Sequence, residues 1–234
     1  MQSLFRMTPL RPSAPIAAEA LLPGDPARAL FLAQELFEKP KMSNHAHGLW
    51  GYWGTTEDGR ELTIQSLGIG GPSAAMVLAQ LAGLGVKRAI GVGTCRALDP
   101  GLALGDLLAV GAALGADGVS RELSGEERLA PDPALGAAVT RAAEAAGVNA
   151  ATVASSDLLG ELDGRPGRDW EQRGAVAVEM VAAALFATAA RCGLAAAALV
   201  AVSDAGGEAI AEEPLQEATV RMARVALAAL SSSG

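Results

Sequence analysis

Residues able to do chemistry sit at the ends of apolar runs. Arg88-Ala89-Ile90-Gly91-Val92-Gly93-Thr94-Cys95-Arg96 is one such run, bounded by charge and glycine. It has the pattern of a buried strand ending in a tight loop. Ligands of open α/β sheets sit at the carboxyl ends of parallel strands. There, Gly91 and Gly93 would let backbone approach a ligand closely, and Thr94 would offer a hydroxyl beside it. Two other runs end in carboxylates: Ala175–Val178 leads to Glu179 and Met180, and Ala195–Val202 leads to Ser203 and Asp204. Pro23-Gly24-Asp25-Pro26-Ala27-Arg28 reads as a turn entering a helix, with Pro26 suited to the first turn. Free amides with Arg28 one turn in form an anion site on one reading. On the other, this is an ordinary turn with a solvated arginine.

Other chemistries find little support. His45 and His47 have no carboxylate or cysteine at ligand spacing, so they read as surface or interface histidines, and no metal is expected. Cys95 and Cys192 form neither a CxxC pair nor a disulfide framework, which makes a reducing cytoplasm the default location. The Gly68–Ser73 turn fits neither glycine-rich nucleotide fingerprint, and Gly91-x-Gly93-x-x-Arg96 has arginine in its third position. A nicotinamide or ATP reading is therefore weak. A formal charge of -8 argues against nucleic acid or an anionic membrane as partner, although a pocket can still bind a small anion. The N-terminus lacks a continuous apolar stretch, and Ala175–Val202 is interrupted by Glu179 and Arg191, so neither a signal peptide nor a membrane span is expected.

The elements that must position these residues follow in order. Residues 1–18 read as an irregular arm containing Pro9, Pro12 and Pro15, ahead of one domain over 19–234. A strand at Leu21-Leu22 feeds a helix through about Phe37, then a polar loop at 43–47. Leu49–Gly54 and Glu61–Leu67 form a hairpin around Asp58-Gly59. A helix opens at the Gly68–Ser73 turn and runs to about Leu84. Strands follow at 88–93, 105–114, 151–155, 175–180 and 195–202, with helices at 132–146, 180–191 and 214–230, Asp132 serving as a cap. Residues 116–130 read as a mobile charged loop and 206–213 as an acidic loop. At 50% hydrophobic and 3% aromatic, the core must be Ala, Leu and Val, which suits helices packed closely on a sheet. The alternation predicts a single three-layer α/β/α domain with a central mixed β-sheet.

Six stretches in this order resemble the nucleoside phosphorylases of the hexameric purine and uridine phosphorylase type. They are Leu22-Pro23-Gly24-Asp25-Pro26-Ala27-Arg28, His47-Gly48-Leu49-Trp50-Gly51-Tyr52, Gly68-Ile69-Gly70-Gly71-Pro72-Ser73, Gly91-Val92-Gly93-Thr94, Val178-Glu179-Met180 and Val202-Ser203-Asp204. Each is short; six in register, from about residue 20 onward, are specific. The resemblance implies phosphorolysis of a nucleoside, with a purine favoured, giving free base and pentose 1-phosphate. The bond breaks through an oxocarbenium-like sugar, which calls for an acid at the base and a preorganised site for phosphate. On that pattern Asp204 protonates or hydrogen-bonds the base. Gly24, Arg28 and Thr94 bind phosphate, and Glu179 and Met180 lie under the ribose. The implied co-substrate is inorganic phosphate with no other cofactor, and the implied assembly is a dimer-based homo-oligomer, a hexamer, with His45 and His47 near the border between subunits.

The departures are as specific as the matches. Gly91, His47, Val181, Ile69 and Leu159 stand where the family usually has a phosphate-binding arginine, a second arginine lent by the neighbour, a ribose-binding glutamate, a methionine and a base-stacking aromatic. Arg96 stands where glycine is usual, and either folds back over the anion site or makes a solvent-facing salt bridge. These changes keep two alternatives open: a nucleoside hydrolase of the same superfamily, and a catalytically silent homologue that binds nucleoside or base.

Overall fold

The computed structural model describes residues 8–158 and 169–232. The apolar runs form strands and the alanine-rich segments form helices, as their periodicities demand. In chain order these are β1 (Glu19–Leu22), α1 (Pro26–Leu36), β2 (Lys41–Asn44), β3 (Gly51–Thr55), β4 (Glu61–Gln65), α2 (Gly70–Gly83), β5 (Arg88–Ala97) and β6 (Leu107–Gly115). They continue with α3 (Gly118–Leu123), β7 (Arg128–Leu129), α4 (Pro133–Ala145), β8 (Asn149–Ser155), β9 (Ala177–Glu179), α5 (Ala182–Cys192), β10 (Ala195–Ala205), β11 (Glu208–Ala209) and α6 (Glu212–Ser231).

The strands join one mixed sheet. β5 lies parallel to both β1 and β10, and β1 lies parallel to β4, which begins the antiparallel extension through β3 to β2. β10 pairs antiparallel with β6, β6 parallel with β8, β8 parallel with β9, and β9 antiparallel with β5. Those five strands therefore close on themselves in a ring. One face of the sheet buries Val77, Leu78 and Leu81 of α2 with Ala183, Leu185 and Phe186 of α5. The other buries Leu32 of α1, Leu135 and Val139 of α4, and Met222 and Ala226 of α6. The expected three layers are present. Small residues dominate the contact faces, which allows the helices to pack closely on the strands. Asp25 and Asp132 cap α1 and α4, each accepting hydrogen bonds from amides of the first turn.

Several local expectations change. Residues 116–130 are not a continuous loop: they hold α3, capped by the fully buried Asp117, and β7, which pairs with β6. The run from Arg88 does not turn at Gly93. It continues as strand to Ala97 because β10 and β9 take its hydrogen-bonding groups on either side. The acidic stretch after Asp204 makes a tight return from β10 to β11 through Gly206 and Gly207, whose φ angles of 62° and 85° suit glycine. The polar 43–47 stretch is the end of β2 followed by a single 3-10 turn. Residues 8–18 lack helix and strand, but Leu10 is buried and its backbone exchanges hydrogen bonds with the Gln80 amide.

Candidate active site

The turns after β1 and β4, the carboxyl end of β9 and the middle of β5 open on one cavity of about 450 Å³. Gly24, Asp25 and Arg28 line it from the β1–α1 turn, Gly68 to Gly70 from the β4–α2 turn, Gly91 to Thr94 from β5, and Glu179 to Ala182 from β9 and the start of α5. The fold thus brings Gly24, Arg28, Thr94, Glu179 and Met180 together.

At one end, Gly24 is fixed by its carbonyl, which accepts from the Gly68 amide at 3.0 Å and the Ser66 hydroxyl at 2.8 Å. Arg28 lies in the first turn of α1. Burial pushes its guanidinium pKa down, opposed by the nearby charges of Asp25 and Glu212. Among the described residues neither the Arg28 guanidinium nor the Thr94 hydroxyl has a hydrogen-bond or ion-pair partner. A cation whose desolvation is not offset by a direct partner, beside the N-terminus of a helix, suits an anion.

Glu179 does something different. Its carboxylate is 5% exposed and fully engaged. It accepts from the Val181 amide at 2.6 Å, from the Ala182 amide at 2.9 and 3.0 Å, and from the Ser155 hydroxyl. Ser155 in turn accepts from the Ala183 amide at 2.9 Å. Together they satisfy the orphan amides of the first turn of α5 and so fix the path of Met180 and Val181 along the cavity. Burial raises the Glu179 pKa; the hydrogen bonds from Ser155, Val181 and Ala182 oppose the rise, and the charge of Asp117 adds to it. Glu179→Gln places an amide donor against two amide donors, and is expected to cost about 2–3 kcal/mol in urea unfolding. Because the folded pKa is raised, the wild-type carboxyl contributes most below the ordinary glutamate range. That contribution is lost as pH rises through its folded value. The gap between wild type and Glu179→Gln should narrow accordingly.

Asp204 and Arg96 line a neighbouring cleft of about 690 Å³ rather than the first cavity. A register shift in β10 between Val202 and Asp204 sets Asp204 opposite Arg96 of β5, and Arg96 Nη2 lies 3.3 Å from Asp204 Oδ2. Of the two roles open to Arg96, the ion pair is the one formed here. His47 lines neither space: it is exposed in the 3-10 turn, at φ 57°. Leu159 lies outside the described residues. Among the described residues no group of three or more His, Cys, Asp or Glu could hold a metal ion, and no helix is long and apolar enough to cross a membrane.

Ser155 and Asp117 were not singled out by sequence. The available signal was a polar residue ending an apolar strand, as in Val153-Ala154-Ser155, and an aspartate just before a helix.

Residues 20–231 match the phosphorylase superfamily. The purine nucleoside phosphorylase DeoD-type of Caldanaerobacter subterraneus is 31% identical over 220 residues, covering 91% of this chain and 94% of that protein. The proteins of the same name from Alkaliphilus metalliredigens and Geobacillus kaustophilus are each 32% identical, covering 91% and 94% of this chain and 94% and 95% of their own length. With that match spanning nearly the whole chain, and its turns converging on the cavity, the chain belongs to the phosphorylase superfamily.

Proposed function

We infer that the protein cleaves the N-glycosidic bond of a purine nucleoside with inorganic phosphate, giving free base and pentose 1-phosphate. The observation that carries this is the convergence of Gly24, Arg28, Thr94 and Met180 on one cavity of about 450 Å³, within the usual range for small-molecule sites. Phosphate sits against Gly24, Arg28 and the Thr94 hydroxyl. The sugar lies over Met180 and Val181, and the base points toward Asp204. As the C1′–N9 bond breaks, its electron pair passes to the base and a phosphate oxygen bonds C1′. The fixed charge of the phosphate faces the cationic sugar. Asp204 hydrogen-bonds or protonates the leaving base. This chemistry needs phosphate as co-substrate and no resident cofactor. Glu179 acts by holding Met180 and Val181 in place, since its oxygens are already taken.

The test incubates the protein with adenosine, inosine, guanosine and uridine, with and without phosphate, and follows free base. Phosphate-dependent release from the purine nucleosides is expected. Arg28→Met removes a charge-assisted contact worth about 1.5–3 kcal/mol, so the phosphate KM should rise about 10- to 100-fold. An unchanged KM would remove Arg28 from the phosphate site.

A hydrolytic reading has one observation in its favour: among the described residues Arg28 is the one cationic side chain lining the cavity. Release that ignores phosphate would establish it. No release, with a thermal shift on adding nucleoside or base, would mark a silent binding protein. For the assembly, the proposal is a dimer-based homo-oligomer, a hexamer, in the cytoplasm. Ile69, 84% exposed beside the cavity, and Met42 and Met76 are large apolar side chains that a neighbouring subunit would cover.

A further inference from the structure

We propose that Arg96 sets which purine the site accepts: paired with Asp204, it offers a donor beside an acceptor, matched to the edge of a 6-aminopurine nucleoside and mismatched to a 6-oxopurine. The inference rests on the phosphorolysis reading, which places the base at Asp204.

Placement comes first. Thr94 lines the cavity and Arg96 lines the adjoining cleft, two residues further along β5. The strand rise sets them about 6–7 Å apart, within the reach of a purine whose sugar occupies the cavity, as the phosphorolysis reading requires. Leu98 and Pro100 give this cleft apolar wall, and Gly206 and Gly207 turn the backbone away just past Asp204. The register shift in β10 is the device that aims Asp204: it sets the carboxylate opposite Arg96. Side-chain exposures of 42% for Arg96 and 28% for Asp204 leave both within reach of a ligand.

Chemistry decides the preference. The N7 edge of a 6-oxopurine shows two acceptors, O6 and N7, whereas that of a 6-aminopurine shows an N6–H donor beside the N7 acceptor. An arginine alone would favour the two acceptors. Here the guanidinium lies against Asp204 Oδ2 as an ion pair, and the carboxylate sets an acceptor beside its donors. Asp204 accepts from N6–H while Arg96 donates to N7. With a 6-oxopurine, O6 meets a carboxylate oxygen and both acceptors lose their partner, the mismatch that sites discriminate against most strongly.

The experiment measures kcat/KM for adenosine and inosine at saturating phosphate, in wild type, Arg96→Gly and Arg96→Gln, with melting curves to show that each variant folds. Wild type should favour adenosine at least tenfold, and Arg96→Gly should cut the adenosine-to-inosine ratio at least tenfold. Arg96→Gln, which keeps a donor, should fall between, and serves as the test if the glycine variant does not fold. A wild-type ratio near or below one, or a ratio unmoved by both substitutions, overturns the proposal. If no variant releases base, the phosphorolysis reading has failed. The edge preference is then read from thermal shifts with free adenine and hypoxanthine. A larger adenine shift that Arg96→Gly abolishes upholds it, and equal shifts overturn it.

Discussion

Asp204→Ala is expected to lower kcat/KM for the preferred nucleoside by about 10- to 100-fold, the range for losing a charge-assisted hydrogen bond to the leaving base. The phosphate KM should stay close to wild type, because Arg28 and Thr94 line a different space from Asp204. Stability should move little. The Arg96–Asp204 pair is partly exposed, and such pairs contribute about 0–1 kcal/mol. The guanidinium left behind remains 42% exposed and can be hydrated. Asp204→Asn keeps an acceptor beside Arg96 and should lose less than alanine. Initial-rate kinetics varying nucleoside and phosphate separately, alongside melting curves, distinguish a chemical loss from a folding one. An alanine variant within threefold of wild type would take Asp204 out of the reaction and leave the pair with Arg96 as a surface contact.

Sequence patterning carried much of the fold because its signals are local. Asp132 before an alanine-rich helix, Asp58-Gly59 between alternating strands, and the Gly68–Ser73 turn each act within a few residues, and each was found where expected. Residues 116–130 failed for the opposite reason. Their Glu and Gly content reads as solvent-facing, yet the segment is organised by Asp117, whose burial depends on α5 and on the Gly71 region of α2. In β5, glycines at 91 and 93 read locally as a turn, while pairing with β10 on one side and β9 on the other holds the stretch extended. The site divides along the same line. Gly24, Arg28 and Thr94 stand on short motifs and converge as those motifs suggest. The Arg96–Asp204 contact depends on how two distant strands register and on a one-residue irregularity in one of them, which no local pattern specifies. Glu179 was legible as a carboxylate at a strand end. That its oxygens would be consumed by the Val181 and Ala182 amides and by Ser155 depended on β8 pairing beside β9, which sets Ser155 opposite it.

Gly91 is where the superfamily resemblance leads one to expect a phosphate-binding arginine, and Gly91→Arg alone is expected to destabilise the fold without tightening phosphate. The position is closed rather than vacant: a Cβ there would lie 3.1 Å from Leu185 Cδ2 and 3.5 Å from Ala198 Cβ. Leu185 is buried on α5 and borders the same cavity, so a side chain at 91 must push this packed leucine aside. Overpacking of this kind costs about 1–3 kcal/mol. Leu185→Ala alone should cost about 2–5 kcal/mol, from lost burial and the cavity left behind. The two changes touch the same space, so they should not add. The double variant Gly91→Arg/Leu185→Ala should be more stable than the sum of the singles predicts, by about 0.5–3 kcal/mol, the range for residues in contact. It should also bind phosphate more tightly than Leu185→Ala alone, since a second guanidinium could then reach into the cavity that Gly91 lines. Urea unfolding of all four proteins gives the coupling, and phosphate-induced thermal shifts give the binding. Strict additivity would mean that Leu185 does not hold this position closed. Coupling would mean that the side chain at 185 on α5 sets what residue 91 of β5 can be.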